Sequence, residues 1–272
     1  FKYTNLFPSS RISYRFSTQQ SINFNYNGSP QPPSIDQIQP VLQNNDPLNI
    51  VVGNPDLKQA FNHNINMFYQ NFKVLSGRSI WANAGLNLTH NAIVQSQVID
   101  SGKRTLKYVN TSGNFNWRSS LSYGFKIKKP ETNISFDVFA NGNRFVNFVN
   151  NVPNTTNNTR LGFGAGFNRY KENKFNYWFR ASANKNFSKS SISRGASNEF
   201  WQYEISGDFN VYLTKRLVVG SEASGYIRQK VDAFDNTPNI LIWNGNVVYK
   251  VFPKRNGEFK FEAMDMLNQR RG

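Results

Sequence analysis

Gly162, Gly164 and Gly166, in the run Leu-Gly-Phe-Gly-Ala-Gly-Phe, are the residues whose spacing most invites a chemical reading. A glycine-rich loop can cradle phosphate, but a dinucleotide fingerprint needs a helix directly after it. Here the alternation of apolar residues continues through Phe167. The glycines therefore share one face of a strand, where they would let a lumen element approach closely. His63 and His90 are the only histidines, and neither has Asp, Glu or His at ligand spacing. Each reads as a strand residue near an interface. Asp36 and Asp46, with the carbonyls of a Pro-rich loop, could ligate calcium, but solvated loop carboxylates are the simpler expectation. No Ser–His–Asp grouping, catalytic carboxylate pair or zinc spacing is present. Sequons such as Asn154-Thr155-Thr156 follow from the abundance of Asn. No catalytic, cofactor or metal residue is assigned, ligand-binding residues stay unidentified, and the chain is not expected to be an enzyme.

The elements that carry these residues are more informative. From Phe115 to Ile127, Phe115, Trp117, Leu121, Tyr123, Phe125 and Ile127 alternate with Asn114, Asn116, Arg118, Ser120, Ser122 and Lys126, and only Ser119 interrupts the apolar row. A period of two makes an extended strand with one apolar and one polar face. At roughly 3.3 Å per residue, such a strand tilted by about 45° rises roughly 30 Å, the hydrocarbon thickness of a bilayer. Strands in soluble domains are usually about 5–6 residues long. This one is expected to span a membrane.

Composition agrees. Mean hydropathy is −0.58, and no apolar run approaches the roughly 20 residues that a spanning helix needs. A β-barrel escapes that criterion, because only every second residue of its strands is apolar. Aromatic residues make up 15%, with 24 Phe, which favours strands. There is no cysteine, so neither disulfides nor thiolate metal sites can form. The net charge of +16 raises the question of nucleic acid, but the basic residues are dispersed at turns and on polar strand faces. Anionic lipid headgroups, or an anion-attracting lumen, are the better use of the excess. No nucleic-acid partner is expected.

Twelve alternating segments follow one another along the chain. They begin near residues 5, 21, 61, 80, 115, 134, 161, 175, 201, 217, 241 and 258. The fourth is expected to run to about Ile99 and to turn at Asp100-Ser101-Gly102-Lys103 into the fifth. Loops are expected at 27–60, 150–158, 190–197 and Asp235-Asn236-Thr237-Pro238. Every second connection is tight and often basic: Thr18-Gln19, 75–78, 128–131, 171–173, 214–216 and 253–257. Short turns on one side and long loops on the other form the asymmetry of an outer-membrane barrel. Phe72, Phe125, Tyr170, Phe175, Tyr212, Phe252 and Phe259 lie beside the tight turns and would form an interfacial girdle. In-strand charges, such as Arg15, Arg118, Asp137, Arg180, Glu204, Asp208 and Glu262, fall on the polar face, while Arg144 is in phase with the apolar row near a strand end. The fold class is thus all-β, an antiparallel transmembrane barrel, with residues 1–272 as one domain.

Several segments carry a resemblance. Leu6-Phe7-Pro8-Ser9-Ser10-Arg11-Ile12-Ser13-Tyr14 leads to a second strand, and then to Pro32-Pro33-Ser34-Ile35-Asp36, Asn45-Asp46-Pro47-Leu48 and Gly53-Asn54-Pro55-Asp56-Leu57. Near the other end stands Asp265-Met266-Leu267-Asn268-Gln269. The chain resembles the outer-membrane β-barrel family of Bacteroidetes, a group of TonB-dependent receptor-like proteins. The resemblance implies a C-terminal portion of a larger barrel, with a plug and N-terminal domain elsewhere. It also implies location in the cell outer membrane and energy supplied by a TonB-type complex acting on that plug.

The expected function is import of a bulky solute, with loop 27–60 contacting solute or a surface lipoprotein and outer-membrane lipid surrounding the wall. An outer-membrane barrel serving as passive pore or scaffold is the alternative, and a soluble β-rich carbohydrate-binding module is the third reading. No cofactor is expected, and no residue specifies the solute.

Overall fold

Wherever apolar and polar residues alternate, the chain is extended. The computed structural model describes residues 5–46, 48–192, 198–231, 239–252 and 256–269. It contains sixteen strands in one sheet. In chain order they are β1 (Ser9–Ser17), β2 (Gln20–Gln31), β3 (Leu42–Asp46), β4 (Asn49–Val52), β5 (Ala60–Lys73), β6 (Arg78–His90), β7 (Ala92–Asp100) and β8 (Lys103–Thr111). Then come β9 (Asn114–Lys128), β10 (Glu131–Val149), β11 (Val152–Lys171), β12 (Phe175–Ser190), β13 (Asn198–Tyr212), β14 (Leu217–Arg228), β15 (Ile240–Val251) and β16 (Gly257–Ala263). One helix, α1 (Ile35–Ile38), is a single turn, and no helix among the described residues is long and apolar enough to cross a membrane.

The main path is β1-β2-β5-β6-β9-β10-β11-β12-β13-β14-β15-β16, an antiparallel meander of the twelve segments expected. β9 to β13 are 15 to 20 residues long, well beyond ordinary soluble strands. Register keeps the apolar rows together: Ile12 faces Phe24, Phe24 faces Met67, Tyr123 faces Phe136, and Val138 faces Phe163. Because the side-chain period is two, such matched registers hold every apolar row on one face. That face is uncovered. Leu121, Val138, Phe163 and Phe209 are each about half exposed, as are Ile12 and Tyr14 at one edge. No layer of helix or sheet packs on either side among the described residues. β1 and β16 end the path, and they do not pair with each other among the described residues.

Four strands leave the meander at the long-loop end. β3 pairs with β4 antiparallel, β4 with β8 parallel and β8 with β7 antiparallel. β7 then runs parallel to the far end of β10 at Phe148↔Ser96 and Val149↔Gln97. Ala92 and Val94 of this loop sheet are buried, as are Leu57 in the connection before β5, Ala60 at the start of β5 and Val146 near the end of β10; among the described residues Val218 is the other buried apolar side chain. The spanning wall needs no buried core if lipid solvates its apolar face.

Some sequence expectations are corrected. The fourth segment does not run to Ile99, because Asn91 adopts φ 50° and the chain breaks there between β6 and β7. Asp100–Lys103 closes the β7–β8 hairpin, with Ser101 at φ 47° and Gly102 at φ 80°, rather than leading into β9. The expected loop 150–158 is strand. β10 and β11 pair without a slip from Asn133↔Asn168 to Val149↔Val152, turning on Asn150 and Asn151 alone. Both take positive φ, 50° and 64°, the twist that a two-residue hairpin turn requires and that Asn tolerates. The connection 27–60 is not a free loop either. β2 continues to Gln31, and Ser34 and Gln37 form a capping box that starts α1. The turn 235–238 lies outside the described residues.

Candidate functional site: the polar face of the wall

The meander brings its polar rows onto one surface, opposite the uncovered apolar one. Near its middle, Ser122 donates to Asp137 Oδ1 at 2.5 Å, and Arg180 Nη1 lies 2.7 Å from Asp137 Oδ2. Arg160 Nη2 meets Glu204 Oε1 at 3.1 Å, and Gln202 donates to the same carboxylate at 2.5 Å. Arg118 donates to Asn66 Oδ1 at 3.0 Å across two strand boundaries, and Asn83 donates to Ser120 at 2.5 Å. Neutral amides dominate what remains. A recess of about 810 Å³ is lined by Asn116, Arg118, Asn141, Asn158, Arg160 and Phe200, among others. Arg160 and Arg180 are paired with carboxylates, while Arg118 is held by an amide oxygen and keeps its charge.

Large aromatics also lie on this face, among the polar residues that alternation places there. Phe139 shares the phase of Asp137 and Asn141, and the Arg160 guanidinium lies 5.4 Å from its ring centroid. Phe200 lies opposite Asn186, with Arg228 over its ring at 5.6 Å. Trp81 and Phe68 pack on the same side with ring centroids 5.9 Å apart and planes tilted by 43°. Strict parity counting from Ile134 or Trp201 would have found them. The girdle is likewise divided. Phe125, Phe175 and Phe259 take the apolar phase, but Phe72, Tyr170 and Tyr212 take the polar one.

The glycine series sits in the middle of β11. Gly162 lies directly beneath Phe139 and against Asn184, so that a Cβ would overlap both. The close approach expected of these glycines is therefore made by a neighbouring strand's ring. Asn184 is fully buried there, and neither amide atom has a hydrogen-bond partner.

Polar groups on the apolar face satisfy one another, as hydrocarbon demands. Ser119, the interruption in the Phe115–Ile127 row, donates to Ala140 O at 3.3 Å. Ser221 donates to Asn244 O at 3.3 Å and accepts from Trp243 Nε1 at 2.8 Å. Lys185, which the sequence reading did not single out, stands in the apolar phase. It is paired with Glu199 at 2.5 Å and lies 5.3 Å from the Trp201 ring centroid. Arg144 faces Phe115 near the far end of β10, where a long side chain can reach water.

The titratable candidates separate. His63, in β5, has Nδ1 3.0 Å from Tyr26 Oη and its ring packs on Phe61. His90 ends β6. Asp36 sits in the exposed first turn of α1. Asp46 accepts from Asn49 Nδ2 at 2.6 Å and from Leu48 N at 2.9 Å. Those bonds, the Asn49 amide first, hold its carboxyl below the usual carboxylate range. Its oxygens serve their own turn. Among the described residues no three His, Asp or Glu come together.

No curated protein and no solved structure matches the chain. The profile of the outer membrane protein beta-barrel family matches residues 1–224, which cover most of the meander and the whole loop sheet. With an uncovered apolar face and an opposite polar face, the chain belongs to the outer membrane protein beta-barrel family and resides in the cell outer membrane.

Proposed function

We propose that the chain forms part of the wall of an outer-membrane importer for a bulky, polar and largely uncharged solute. The recess of about 810 Å³ on the polar face carries this reading, with amides, two arginines and half-buried rings offering hydrogen bonds and flat apolar contact. The resemblance to TonB-dependent receptor-like proteins adds the expectation of energy coupling through a plug and an inner-membrane complex. The loop sheet would meet solute or a surface lipoprotein before the lumen does. No chemical step is assigned to the chain.

Uptake measurements test the proposal. Cells with the full gene should accumulate a bulky polar solute only while the inner membrane is energised, and deletion should abolish both binding and uptake. Uptake that survives dissipation of the proton gradient would favour the passive pore.

A further inference from the structure

One place on the apolar face does not suit hydrocarbon. The β5–β6 turn sets Lys73 and Arg78 directly opposite each other in the sheet. Asn71 is paired with Ile80 one step further in, and Ile80 with Tyr123 of β9. All five belong to the lipid-facing phase at the tight-turn end. They line a niche of about 160 Å³. Like charges directly opposite in a sheet destabilise it. Neither cation enters an ion pair among the described residues.

The turn itself is a 3₁₀ turn, Val74–Ser76, closed by Gly77 at φ 62°. It presents Leu75 at 98% exposure and Val74 at 60%. Apolar side chains projecting beside two unpaired cations suit a membrane interface and suit open water poorly. The same end gathers Lys128, Lys129, Lys171, Lys174, Lys215 and Arg216 at the other tight turns, against few carboxylates. Charges dispersed along the sequence are thus assembled by topology into a basic collar.

We propose that the Lys73–Arg78 niche binds the phosphate of an anionic glycerophospholipid. Lys73, Arg78 and Asn71 supply donors to the phosphate oxygens, and the Tyr123 hydroxyl supplies another. Ile80 and Tyr123 begin the apolar row along which an acyl chain lies. Two adjacent cations repel the amine of a zwitterionic headgroup, so the site selects lipids with net negative charge. The short turns of such barrels face the periplasm, which places the niche against the phospholipid leaflet. This inference rests on the membrane reading of the wall.

The test uses the product of the full gene refolded into phosphatidylcholine vesicles, with or without phosphatidylglycerol. Spin-labelled phosphatidylglycerol and phosphatidylcholine compete for the protein–lipid boundary. The wild type should prefer phosphatidylglycerol by roughly tenfold at low salt, as expected for two cations at a membrane surface. Lys73→Gln with Arg78→Gln should bring the two lipids close to parity. Lys103→Gln with Lys189→Gln, which removes two charges from the opposite end, should leave the preference unchanged. If the niche variant fails to fold, raised salt on the wild type provides the same reading, since screening should erase the preference. Equal binding of both lipids by an inserted, heat-modifiable wild type overturns the niche alone, as does an equal loss in the control variant. A wild type that never enters vesicles overturns the membrane reading and the niche with it.

Discussion

Whether a single side chain meets lipid or water decides how it can be replaced. Ile205 and Ser206 are neighbours in β13 on opposite faces, Ile205 in the apolar row beside Ala181 and Ser206 between Arg180 and Ser224. An arginine on the lipid side near mid-membrane costs about 2–4 kcal/mol, and one on the lumen side far less. Ile205→Arg should therefore reduce the heat-modifiable, folded fraction in vesicles strongly, while Ser206→Arg leaves it near wild type. Equal losses would contradict the assignment of faces. The faces were legible from alternation alone, because a period of two needs no tertiary information. The company each residue keeps was not. Nothing in the local pattern says that Phe139 covers Gly162 and Asn184, because that contact depends on the β10–β11 register. Nor could Lys73 and Arg78 be known as partners before the turn between them was seen to be a single 3₁₀ turn.

At the scale of elements, the sequence exposed the spanning strands and concealed the loop sheet. Twelve segments with strong alternation became the meander, whereas β3 and β4 have only 5 and 4 residues and two pairings of the loop sheet are parallel to strands distant in sequence. Long-range partners of that kind leave no periodic trace. The error at 150–158 has a separate cause. A run rich in Asn and Thr reads as loop by composition, yet hairpin pairing with β10 overrides propensity. Its turn gives the next prediction. Asn151→Val places a β-branched residue at φ 64° and should destabilise the β10–β11 hairpin by about 1–2 kcal/mol. Asn151→Gly should be neutral or slightly favourable. Hydrogen exchange near Val146 and Phe148 would register the difference, with β12 and β13 unaffected.

For the molecule as a whole, the uncovered apolar face fixes the solvent. Without detergent or lipid the chain should aggregate, because no second layer shields Leu121, Val138 and Phe163. A monodisperse detergent-free monomer by light scattering would sink the barrel reading and favour the soluble carbohydrate-binding module. The strands also differ greatly in length. β10 and β11 have 19 and 20 residues, and β16 has 7. Where β16 stops, the following segment turns across the top of β15: Met266 N donates to Trp243 O at 2.8 Å, and Gln269 Oε1 accepts from Leu241 N at 3.1 Å. At about 3.4 Å per residue, the described wall stands as a tall parapet at β10 and β11 and falls to a low sill at β16. For the importer proposed above, this predicts that cargo arriving along the cell surface meets a barrier at β10 and β11 and a lower edge at β16.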